Sequence, residues 1–187
     1  MKKIANIIKS ASHIDYTAQV INPIDRSGVL PTDYALGNFV LIGKNTVGLI
    51  YDTELFNPSL ILSSQKEQIE IYAPDLRDEV DILLKILLLG IIENNHGDQN
   101  LPSQVLEAGS DIWLMEKNMI KDFHCSPEGH FQVKYLSNLN SYGNKLNPSL
   151  FSLIVKQLNN LLKTEEIQIL EIIEQNLLWN KMINTQV

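Results

Sequence analysis

The sequence predicts a mainly β fold with α: a small closed β-barrel, followed by further strands and a C-terminal αα-hairpin. Three observations predict it. Short β-like runs, broken by glycine, proline and asparagine, follow one another through the front of the chain. One stretch, GNFVLIGKNTVGLIYDTELFNPSL from Gly37 to Leu60, reads as two strands joined at Gly43-Lys44-Asn45 and ended by an Asn-Pro break. From Asn147 onward, apolar residues recur at spacings of three and four, the period of a helix with one buried face. The chain therefore divides into a β domain over 1–146 and a helical hairpin over 147–187.

Taken in order, Ile4 to Ser10 and Tyr16 to Ile21 are the first two strands, and INPIDRSGVLPTDY supplies Pro23, Gly28 and Pro31 in a loop. The Gly37 hairpin follows. Gly48, inside its second strand, fits a place where a small barrel bends sharply or two backbones come close. Gln68 to Ala73 carries Ile69, Ile71 and Ala73 on one face and Glu70 and Tyr72 on the other, the alternation of a strand with one buried face. Closure into a barrel removes the exposed edges that such strands otherwise present.

The run ILLKILLLGII, Ile82 to Ile92, is interrupted by Lys85 and is far short of the ~20 apolar residues of a membrane span. A continuous apolar run has no periodicity, so it fits buried helix or buried strand. The favoured reading is a helical or irregular lead-in from Asp75 that becomes a strand through Leu87 to Ile92 and ends at the turn-rich ENNHGDQN.

At the other end, Asn147 is a credible N-cap with Pro148 at the first helical position, where its missing N–H costs nothing. Leu150, Phe151, Ile154, Val155, Leu158, Leu161 and Leu162 then share a face. Thr164 is placed to cap a second helix, with Glu165 and Glu166 complementing its dipole and Ile167, Leu170, Ile173, Leu177 and Trp179 as its apolar side.

Composition bounds the function. The 187 residues are 44% hydrophobic, enough for a sizeable core. A formal net charge of -7 argues against direct strong nucleic-acid binding, which needs a cationic footprint. The single cysteine, Cys125, cannot form an internal disulfide, and MKKIANIIKSASHIDY lacks the apolar core of a signal peptide. A cytoplasmic protein without a membrane segment is the expectation.

Motifs for chemistry are mostly missing. No GxxxxGK[ST] phosphate loop occurs, so neither ATPase activity nor a nucleotide cofactor is expected. The densest constellation is HCSPEGH, where His124, Cys125, Glu128 and His130 bring zinc ligation or a thiol nucleophile with a histidine base to mind. No CxxC or HxxxH completes a ligand set. The preferred reading is a Pro-Gly turn with exposed histidines between strand-like segments, tolerant of alanine at His124, Cys125 and His130 together. Asp52 and Glu54 fall on one strand face and read as solvated carboxylates; His13 and Asp15 form another polar pair without further catalytic company. Tyr16, Tyr34, Phe39 and Tyr51 would be the stacking platform if the barrel bound oligonucleotides. Trp113 reads as core, and the interface candidates are Tyr51, Phe56, Phe151, Leu158 and Trp179.

The order of segments resembles a known family. The early strands and then DYALGNFVLIG…TVGLIYDT resemble the HAS-barrel, the small N-terminal β-barrel of HerA-type DNA-translocating ATPases and of ATP synthase subunits. ILLLGIIENN, LPSQVLEAGSDIWLMEKNMIKDFH and GHFQVKYLSNL are similar to the region in which a second strand group precedes the ATPase domain. The likeness covers about residues 1–146 and rests on apolar runs and turns. Where the motor would follow, this chain has its helical hairpin, so it resembles the stand-alone form. The resemblance implies a non-catalytic adaptor or regulator that assembles with a separately encoded hexameric P-loop ATPase in DNA processing, and that forms homo-oligomers. It carries over no catalytic, cofactor or metal residues.

Overall fold

A computed structural model describes residues 1–21, 28–56, 81–142 and 149–184, with side chains outside the description at 140–142 and 177–184. The strands are β1 (Lys2–Ser10), β2 (Asp15–Val20), β3 (Phe39–Ile42), β4 (Thr46–Phe56), β5 (Asp81–Glu93), β6 (His96–Asp98) and β7 (Asp111–Leu114). All lie in one sheet of order β2-β1-β7-β3-β4-β5-β6, and pairing of β2 with β5 closes six of them into an antiparallel barrel with β6 outside the ring. The expected closed barrel is therefore present. Its last stave is β7, which sits between β1 (Asn6 opposite Asp111) and β3 (Ile42 opposite Ile112).

Two apolar layers explain why the strands read as unbroken hydrophobic runs. The interior is filled by all six staves, among them Ile4, Tyr16, Val40, Ile50, Ile86 and Ile112. The outer face of β3, β4 and β5 is also covered: Phe39, Leu41, Val47, Leu49, Leu87 and Leu89 pack against helices. Strands buried on both faces need apolar residues at odd and even positions alike, which erases the period of two. This corrects the reading of Ile82 to Ile92. β5 is strand from Asp81, not from Leu87, and Leu84, Ile86 and Leu88 point inward while Leu87 and Leu89 point out. Lys85 is tolerated because its ammonium reaches Glu54 of β4 at 3.2 Å and Thr17 of β2 at 3.4 Å.

The β3–β4 hairpin has the predicted register, with Phe39 opposite Leu49 and Ile42 opposite Thr46. Gly48 faces the interior, where an added Cβ would lie 2.6 Å from the Cγ2 of Ile86. Part of the predicted turn ENNHGDQN is strand: Asn94 and Asn95, at φ 50° and 62°, form a two-residue hairpin turn that folds β6 back on β5. The candidate strand Gln68 to Ala73, the lead-in from Asp75, the Asn147-Pro148 cap and the 146/147 boundary lie outside the described residues.

After β7 the chain is helical, where further strands were expected. α1 (Lys117–Phe123) buries Ile120 and Phe123, and α2 (Tyr135–Tyr142) buries Tyr135, Leu136 and Leu139, a spacing that repeats every three to four residues and suits a helix. α3 (Ser149–Asn159) buries Leu150, Phe151, Ile154, Val155 and Leu158 as predicted, with Leu161 and Leu162 partly buried beside them. α4 (Thr164–Asn184) packs through Leu170 and Ile173 to complete the hairpin. Its cap lies one residue earlier than predicted: Lys163 donates its N–H to Glu166 Oε2 at 2.8 Å, half of a capping box, with Thr164 already helical.

Candidate functional site

The HCSPEGH segment joins α1 to α2, and its first residue is not exposed. His124 follows directly on α1 and is 1% exposed. Its Nδ1 lies 2.7 Å from the carbonyl of Ile120, and its Nε2 lies 2.9 Å from the hydroxyl of Tyr135. A carbonyl can only accept, so Nδ1 carries the proton and Nε2 accepts from Tyr135. Rings surround the imidazole: Phe39 and Phe123 stand edge-on at 5.4 Å each, and Phe131 stacks at 6.3 Å. Burial away from water pushes the pKa of His124 down to about 4, against a weaker opposing effect of the Ile120 carbonyl. Burial likewise pushes the Tyr135 phenol up.

That geometry does not pair His124 with Cys125. Both ring nitrogens are occupied, neither by the thiol, whose Sγ lies 3.5 Å from the Ser126 carbonyl oxygen. His130 and Glu128 are exposed on the turn, and the Glu128 carboxyl is held below its ordinary value mainly by the Ser126 hydroxyl. Among the described residues no three His, Cys, Asp or Glu side chains are grouped to hold a metal ion. The predicted turn is present at Ser126 to Gly129, with Gly129 donating to the Ser126 carbonyl at 2.8 Å.

Beneath it lies a network that no sequence motif marks. Gln99, 2% exposed, donates from Nε2 to the carbonyls of Phe123 at 3.1 Å and Gln132 at 3.0 Å. Gln132 donates to the Gly97 carbonyl at 2.6 Å, and the Gly97 N–H donates to Cys125 at 3.0 Å. A Cβ at Gly97 would collide with the Phe123 carbonyl, so β6 and the end of α1 touch backbone to backbone. These groups tie β6 to the α1–α2 connection and satisfy the buried carbonyls of Gly97, Phe123 and Gln132, while Gln99 Oε1 is buried without a partner among the described residues.

The remaining candidates separate in space. Asp15 is buried and accepts from the Tyr51 hydroxyl at 2.8 Å, while His13 is exposed and reaches the Pro102 carbonyl at 2.6 Å, so the two do not act as a pair. Asp52 and Glu54 are exposed, as predicted. Tyr16, Phe39 and Tyr51 are inside the fold and Tyr34 is half-buried, so no stacking platform is presented; the aromatic residues expected for it fill the core instead. Of the interface candidates, Tyr51, Phe151 and Leu158 belong to the chain's own core, because helix packing on the barrel's outer face consumes them. Phe56 is half-buried at the end of β4, Trp179 lies among the side chains outside the description, and Trp113 packs at the core's margin.

One open cleft of about 280 Å³ lies between β7, α1 and the α3–α4 turn, lined by Asn38, Leu114, Lys117, Gln157, Asn160 and others. It contains no carboxylate, imidazole or thiol. The Asn38 amide is already committed to the carbonyls of Thr32 and Asp33, and the Asn160 amide to that of Lys156. Apart from the Lys117 ammonium, such a lining offers shape and hydrogen bonds. No helix among the described residues is long and apolar enough to cross a membrane.

No curated protein matches the chain. A family model matches it along residues 1–187, through barrel and helices together, and the chain belongs to that family, described as a domain of unknown function, DUF8166.

Proposed function

We propose that this protein is a non-catalytic barrel adaptor that assembles with a separately encoded hexameric P-loop ATPase of the HerA type, in DNA processing in the cytoplasm. The observation that carries the reading is the closed six-strand antiparallel barrel whose interior is filled by its own side chains. A filled barrel has no ligand cavity at its centre, and its use lies in its surface. The resemblance of Asp33 to Thr53 to the HAS-barrel supplies the partner class, because barrels of that family sit as a ring on a hexameric motor. The occupied nitrogens of His124 and a cleft lined by no carboxylate, imidazole or thiol support a protein that performs no chemistry itself.

The test mixes the purified chain with the HerA-type ATPase encoded nearest to its own gene. Light scattering is expected to show a complex of defined mass, and the isolated chain is expected to hydrolyse no ATP. A chain that never joins the ATPase, with or without nucleotide, overturns the adaptor reading and leaves the fold untouched.

A further inference from the structure

The second helix of the hairpin has two apolar sides. One, through Leu170 and Ile173, packs on the rest of the chain. The other is on the surface: Ile169 is 49% exposed and Ile172 58% exposed. Asn176, also exposed, then Trp179 and Ile183 continue the same row along the α4 backbone, at steps of three, four, three and four. That is the spacing of a two-stranded coiled-coil seam, with Ile169, Asn176 and Ile183 at one core position and Ile172 and Trp179 at the other. Chain placement leaves room for it. Ser152, near the start of α3, meets Glu174 of α4 at 2.8 Å, so α4 runs on from 175 to 184 where α3 has only Ser149 to Phe151 left.

From this we infer that α4 pairs with α4 of a second copy of this chain, in parallel, about a two-fold axis along the Ile169–Ile183 row. Charge decides the occupant. The chain is acidic, at -7, and self-pairing would be penalised if glutamates flanked the seam. They do not: the flanking positions along it are Gln168, Ile173, Gln175, Asn180 and Met182, all uncharged. Glu171 falls off the seam, Glu174 is turned to Ser152, and Glu166 is engaged at the helix cap. Glu165, one step before Ile169, lies in the first turn, where a carboxylate complements the helix dipole. A basic partner helix would find no carboxylates along these flanks to pair with. Asn176 supports the same occupant, since an asparagine inside a seam meets its own copy amide to amide and selects a two-stranded parallel register.

Sedimentation across a dilution series tests the pairing independently of any ATPase. The wild-type chain is expected at twice its 21.2 kDa mass with a Tm that rises with concentration, and Ile169→Lys with Ile172→Lys is expected to halve that mass, keep the circular dichroism of the folded chain and give a Tm independent of concentration. In a Cys125→Ser background, Asn176→Cys is expected to give a covalent dimer under mild oxidation, and Glu171→Cys is not. A wild-type monomer at every concentration, a dimer that survives the two lysines, or equal cross-linking at both cysteine positions would overturn the inference.

Discussion

Replacing the imidazole of His124 should reveal a pH switch in stability. In the folded chain its pKa is about 4, against 6.5 for an ordinary histidine, because the charged form would be buried among Phe39, Phe123, Phe131 and Tyr135. Between these values the unfolded chain binds a proton that the folded chain refuses. Stability supplied by the neutral ring is therefore complete above pH 6.5 and is lost as pH falls toward 4. At roughly 1.4 kcal/mol per pH unit, the loss is on the order of 3 kcal/mol, a large part of a domain's total of about 5–15 kcal/mol. Carboxylates titrate in the same window, so the wild type must be compared with His124→Asn. That variant keeps a donor near the Ile120 carbonyl but has no group that titrates there, and it strands the Tyr135 hydroxyl, for a cost of about 1–3 kcal/mol at neutral pH. Urea unfolding at half-unit steps from pH 4 to 7.5 would measure both. The stability difference between the two proteins should shrink steadily below pH 6.5. Parallel curves over the whole range would refute the buried neutral imidazole.

Gly48→Ala places a methyl group against Ile86 inside the barrel and should cost about 1–3 kcal/mol, read as a lower urea midpoint with unchanged slope; an unchanged midpoint would show that the interior gives way. Cys125→Ala with His130→Ala, which leaves His124 in place, should stay within about 1 kcal/mol of wild type, and a larger loss would give the turn a role that its exposure does not suggest. Binding to single- or double-stranded DNA should be no tighter than about 10 µM at physiological salt, since net charge is negative, and fluorescence anisotropy showing submicromolar affinity with a steep salt slope would contradict this.

Elements whose signals are local were legible in the sequence. The β3–β4 hairpin announced itself through Gly43-Lys44-Asn45 and its flanking β-branched residues, and the inward face of α3 through Leu150, Phe151, Ile154, Val155 and Leu158. What escaped depends on distant partners. Nothing local tells the four residues Asp111–Leu114 to insert between β1 and β3. The full length of β5 was hidden because helices cover the barrel's outside and remove the alternation. The turn formers Ser126, Pro127 and Gly129 make His124 look like surface; yet Ile120, Phe123 and His124 are spaced i, i+3 and i+4, which places the imidazole on the apolar side of α1. That spacing was the available signal. The buried pair Gln99 and Gln132 had none, since glutamine in a polar stretch looks solvated until β6 folds back on α1.

The division of the chain at 146/147 meets its hardest test in truncation. One continuous apolar cluster contains Phe39, Leu41, Val47, Leu49, Leu87 and Leu89 of the barrel together with Leu150, Phe151, Ile154, Val155, Leu158 and Leu170 of the hairpin. Removing residues 147–187 would strip α3 and α4 from that cluster and return to water the part of the barrel's outer face that α1 and α2 leave uncovered, at about 1.5–3 kcal/mol for each large side chain whose cover is lost. Several such losses rival the whole stability of a domain of this size. A chain ending at 146 should therefore be insoluble, or soluble but loosely packed, with dye-binding hydrophobic surface and a weakened near-ultraviolet dichroism. Strand closure alone cannot rescue it, because the barrel's own interior cluster leaves those outer residues uncovered. If the 1–146 fragment instead gives a monodisperse solution, native near-ultraviolet dichroism and a single cooperative transition, the barrel with α1 and α2 stands without α3 and α4. The hairpin would then be an appendage held to it, rather than the second wall of its core.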